Sequence, residues 1–106
     1  MQEIELTESD HGRSYEILQG DSITIRIPEI PTTGYRWVAR EFNHQVIMFK
    51  DSNYSLNPEG QIGGGGLRTF SFKAVSPGQS NLVLVLEREW EKEKPLKRFE
   101  IAVDVK

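Results

Sequence analysis

His11 and His44 are the side chains in this sequence whose ordinary pKa suits proton transfer near neutral pH, and no cysteine accompanies them. Neither has a nucleophile placed beside it, and both fall in connecting segments away from the loops discussed below, so the pattern reads against an enzyme. The Asp and Glu residues show no calcium-loop spacing, and two histidines without a cysteine do not make a zinc site, so no cofactor or metal is expected. The missing cysteine also excludes disulfides and a thiol nucleophile, while leaving the redox compartment open.

What remains is the chemistry of a binding surface. In Ile30-Pro31-Thr32-Thr33-Gly34-Tyr35-Arg36-Trp37, Pro31 fixes its own φ, Gly34 permits a positive φ, and two β-branched threonines stiffen the chain between them. This is either a plain connecting turn or a small uncharged wedge whose hydroxyls can enter a narrow polar cleft at low entropic cost. Gln61-Ile62-Gly63-Gly64-Gly65-Gly66-Leu67 holds four consecutive glycines. They form a flexible linker, or a strip along which another backbone can approach and pair. No lysine follows in phosphate-loop spacing. Arg88-Glu89-Trp90 opens a charged run, in which Trp90 either packs inward or anchors an interface, with Arg88 able to stack or bond across the contact.

Strands must position these segments. Apolar residues recur with period 2 at Ile23, Ile25 and Ile27, at Phe70, Phe72 and Ala74, at Leu82, Leu84 and Leu86, and at Phe99, Ile101, Val103 and Val105. No window keeps a helical stripe. Expected strands cover 3–7, 14–18, 22–28, 35–42, 46–56, 68–75, 80–89 and 96–105, an all-β antiparallel β-sandwich of seven to eight strands. Tyr35 and Trp37 share a strand face, so one or both serve the core. If successive strands alternate in direction, the connections 30–34, 57–66 and 88–95 lie at one end. The other end has short turns around Asn43-His44-Gln45 and Ser76-Pro77-Gly78-Gln79. Concentrating length and unusual composition at one tip points to presentation of that tip to a partner.

The 106 residues suit one domain spanning 1–106, and a formal charge of −3 spread along the chain argues against nucleic acid or an anionic membrane as partner. No apolar run approaches the roughly 18 residues of a membrane span, and Met1-Gln2-Glu3-Ile4-Glu5 lacks the features of a signal peptide. The expected compartment is cytoplasmic if Met1 is native, and periplasmic or secreted if Met1 replaces a removed signal peptide.

The three segments together resemble the chagasin family of cysteine peptidase inhibitors, whose signature combines Asn-Pro-Thr-Thr-Gly-Tyr, Gly-x-Gly-Gly and Arg-Pro-Trp loops. Pro31, Thr32, Thr33, Gly34, Tyr35 and Trp37 match the first; Gly63, Gly65 and Gly66 match the second, with Gly64 as x; Arg88 and Trp90 match the third. Two positions depart. The leading Asn is Ile30, which removes an amide able to brace the loop, and the Pro between Arg and Trp is Glu89, which leaves the third loop less rigid. The resemblance implies an immunoglobulin-like sandwich, monomeric when free, that inhibits papain-like cysteine peptidases reversibly and without covalent chemistry. Thr32 and Thr33 would sit over the catalytic thiolate and histidine, the glycine loop along the non-primed side of the cleft, and Trp90 on the primed side. Ile62 could fill the enzyme's apolar second specificity pocket. The reading from another class is a non-inhibitory adhesion or carbohydrate-binding sandwich that uses Trp90 and Tyr35 as stacking surfaces.

Overall fold

The four period-2 segments are among eight strands in the computed structural model, which describes residues 2–56 and 65–106. They are β1 (Glu3–Thr7), β2 (Ser14–Ile17), β3 (Ser22–Glu29), β4 (Tyr35–Glu41), β5 (Ile47–Leu56), β6 (Gly66–Ala74), β7 (Gly78–Arg88) and β8 (Lys97–Val105). Single 3₁₀ turns cover Glu8–Asp10 and Pro31–Thr33. Every expected strand is present, its ends displaced by no more than one or two residues.

The strands form two four-stranded sheets, β1-β3-β6-β5 and β2-β8-β7-β4, stacked as an immunoglobulin-like sandwich. Each sheet also carries one parallel edge pair, β1 with β3 and β2 with β8. Simple alternation of direction did not require these pairs. They arise because β1 and β2 lie in different sheets, each beside a strand distant in sequence.

The inward residues of β3, β6, β7 and β8 make the core: Ile23, Ile25, Phe72, Leu82, Leu84 and Ile101 are at most 1% exposed. Each such aliphatic side chain contributes about 1.5–3 kcal/mol through burial. Phe72 sits at its centre, its ring 5.4 Å from Phe42 and 5.6 Å from Phe49, both edge-on. The edge strands β4 and β5 each break register once, between Ala39 and Glu41 and between Phe49 and Asp51. Such irregularities blunt an edge against further strand pairing. Pairing of Glu29 with Gly66, Leu56 with Gly66, and Tyr35 with Arg88 brings the ends of β3, β5 and β7 to one end of the sandwich.

Candidate functional site: a three-loop tip

The first loop leaves β3 at Glu29 and enters β4 at Tyr35. Its single 3₁₀ turn is closed by Thr33, whose backbone N–H and Oγ1 both donate to the Ile30 carbonyl, at 3.2 and 2.7 Å. Thr33 Oγ1 in turn accepts the Tyr35 N–H at 3.3 Å. Bracing expected of an asparagine at position 30 is thus performed by Thr33, and the two threonines divide the work. Thr32 is exposed and takes no part in these bonds. Gly34 has φ +80°, and a Cβ there would lie 3.1 Å from Trp90 Cη2, so both backbone and space call for glycine.

That contact brings in the third loop, built from successive turns in which Glu91 N–H donates to Arg88 O at 3.0 Å and Lys94 N–H to Glu91 O at 3.2 Å. Its stem is held by Arg40, which pairs with the buried carboxylate of Glu87 and donates to Lys92 O at 3.4 Å. Trp90 is 70% exposed, so the choice left open by the sequence resolves to surface rather than core. Trp37, which shares Tyr35's face, is the buried tryptophan at 2%. Arg88 lies between two rings, its guanidinium carbon 4.3 Å from the Tyr35 centroid and 5.8 Å from that of Trp90. Its Nη1 donates to Glu91 at 3.3 Å, while its Nε is buried without a partner among the described residues. Arg88 therefore ties Trp90 to Tyr35, and half-buried Tyr35 offers little free face.

Of the second loop, Ile62, Gly63 and Gly64 lie outside the described residues. Gly65 meets the first loop, since a Cβ on it would lie 3.8 Å from Ile30 Cγ1. Gly66 is the first residue of β6, and a Cβ there would stand 2.3 Å from Ser55 O and 2.6 Å from Tyr54 Oη. Its glycine is demanded by the chain's own packing. Apolar Ile30, Leu56, Trp90 and Leu96 are exposed around this end.

Two groups beneath the tip escape motif reading. Glu29, 4% exposed, accepts the Trp37 N–H at 2.7 Å and the Arg68 Nη2 at 2.8 Å, while Trp37 Nε1 donates to Pro28 O at 2.9 Å. Strand parity held the signal: Glu29 continues the inward series Ile25, Ile27, and Arg68 precedes Phe70 and Phe72 on the inward face. The histidines contribute nothing to the tip. His11, expected away from it, is on a connection at the same end but along the β1 and β2 edge, where Glu8 reaches Lys97 at 3.8 Å. Its Nδ1 accepts the Glu100 N–H at 3.0 Å, which occupies one ring nitrogen. His44 packs on Phe42 with ring centroids 4.2 Å apart.

The family profile described as Chagasin family peptidase inhibitor I42 matches residues 16–105. The chain belongs to the chagasin family. Membership places it among inhibitors of peptidases rather than among enzymes. Amoebiasin-2 of Entamoeba histolytica is 27% identical over 103 residues, covering 95% of this chain and 84% of its own. The crystal structure of the cysteine protease inhibitor EhICP2 from Entamoeba histolytica has a TM-score of 0.87 at 26% identity, covering 99% of this chain and 96% of that one. PbICP-C, solved in complex with falcipain-2, has a TM-score of 0.71 at 16% identity, covering 99% and 92%, and shares the fold.

Proposed function

We propose that this chain is a tight-binding, reversible, non-covalent inhibitor of papain-like cysteine peptidases that occludes the catalytic cleft with its tip. The observation that carries the reading is the meeting of the first and third loops: Gly34, two residues after exposed Thr32, packs against Trp90, over whose ring Arg88 also lies. Thr32 and Thr33 cover the enzyme's thiolate and histidine, and the turn between Ile30 and Thr33 poses no extended peptide bond for attack. Trp90 supplies a preorganised aromatic anchor at one side of the wedge, and the segment Ile62 to Gly66 takes the other. A tip of three loops buries an interface of about 1,600 Å² in the manner of protease inhibitors generally, compatible with affinity of about nanomolar or tighter. A glycan-stacking role finds less support, because Arg88 covers Tyr35 at 4.3 Å and leaves Trp90 as the exposed ring.

Titration of papain and of a cathepsin L-type enzyme with the parent and with Thr32→Arg tests the proposal, trypsin serving as control. Stoichiometric, reversible loss of cysteine peptidase activity by the parent, weakened at least about a hundredfold by a charge forced into the cleft, is expected. Equal activity of the two proteins would remove the wedge from the mechanism, and no inhibition by either would remove the function.

A further inference from the structure

We infer that the buried pair Glu29–Arg68 is a positioning device that locks the threonine loop to the stems of the glycine loop and thereby sets inhibitory affinity. This rests on the inhibitor reading above. The Glu29 side chain is 1% exposed and that of Arg68 17%, with Nη2 to Oε2 at 2.8 Å and Nε to both carboxylate oxygens at 3.2–3.3 Å. The same carboxylate accepts the Trp37 N–H across the sandwich, and the neighbouring Pro28 carbonyl accepts the Trp37 indole N–H. Both N–H groups of Trp37 on β4 are thus held by the last two residues of β3, so the two stems of the first loop are fastened across the gap between the sheets.

The other half of the pair reaches the second loop. Arg68 lies opposite Tyr54 in the β5–β6 ladder, with its guanidinium 5.5 Å from that ring, and Gly66 lies opposite Glu29 in the β3–β6 ladder. One ion pair therefore touches β3, β4, β5 and β6 where all four meet the tip. A buried ion pair is a poor source of net stability, because desolvation offsets most of its attraction and an apolar pair of similar volume does as well. What the guanidinium fork does supply is direction: two groups fixed in one plane at one distance. Held this way, the first loop loses little freedom on docking.

The decisive protein is the double variant Glu29→Gln/Arg68→Met, in which both charges go and the glutamine carbonyl still serves the Trp37 N–H. Arg68→Met alone strands a buried carboxylate and risks unfolding, which the double variant avoids. Inhibition of a papain-like enzyme is measured together with amide hydrogen exchange at Thr33 and Tyr35 in the free protein. The double variant is expected to fold with a melting temperature close to the parent's, to exchange faster at both amides, and to bind about tenfold more weakly, chiefly through faster dissociation. A folded double variant with unchanged exchange overturns the inference whatever its affinity, and so does unchanged affinity with faster exchange. A parent that fails to inhibit defeats the functional reading alone, since exchange still reports on the lock.

Discussion

The two ends of the sandwich solve the same problem in opposite ways. At the end away from the tip, short turns are closed by small polar side chains: Asp21 accepts the N–H groups of Leu18 and Gln2, each at 2.9 Å, and Ser80 Oγ accepts that of Asn43 at 2.8 Å. Backbone pairs such as Gly20 N–H to Ala74 O at 2.8 Å and Ala74 N–H to Asp21 O at 2.9 Å join neighbouring turns and strands directly. At the tip the stems are tied by long charged side chains instead, Glu29 with Arg68 and Arg40 with Glu87, and an aromatic ring is left in solvent. One end satisfies itself; the other is braced from below so that its surface stays available for contact.

Trp90→Ala tests that contrast by separating binding from folding. Losing this exposed anchor is expected to weaken inhibition by about 2 kcal/mol, roughly 30-fold, with the melting temperature unchanged. Thermal melts beside inhibition constants check it, and a folded variant of full potency would break the comparison at its strongest point. Asp21→Asn is the mirror case. The N–H groups of Leu18 and then Gln2 hold the Asp21 carboxyl below its ordinary value near 3.8. Because the folded pKa is the lower one, its contribution is present above that ordinary value and disappears as pH falls through the folded pKa. The variant should melt lower at neutral pH, lose part of the parent's decline in acid, and inhibit normally while folded; melts from pH 7 down to about 2 would show it. The smallest effect is expected of Glu89→Pro. Glu89 is the second residue of the Arg88–Glu91 turn, a position proline favours, so stiffening it should tighten binding by about two- to threefold. Weaker binding would show that this loop must adjust on docking.

Much of this was legible before any coordinates. β3, β6, β7 and β8 were visible through apolar residues at period 2, the other strands through the turn residues that bound them, and the tip followed from counting directions. The motif residues could be named, yet their division of labour could not. Thr33 braces the turn while Thr32 takes no part in it, and Arg88 holds Trp90 to Tyr35 with its Nη1 committed to Glu91, distinctions that depend on rotamers and distances of a few ångströms. Gly66, grouped by sequence with three flanking glycines, proves to be required by Tyr54 and Ser55 on the neighbouring strand. Strand parity turns Glu29 and Arg68 inward, but only the register of β3 against β6 makes them partners.

The sequence by itself determined the alternation of strands, the placing of three unusual loops at one end and the family, because these depend on local periodicity, turn chemistry and motif order. Only the tertiary structure decided which tryptophan is buried, which threonine closes the turn and which charges lock the stems. Those outcomes turn on how two sheets stack, and stacking brings together residues that the chain keeps far apart.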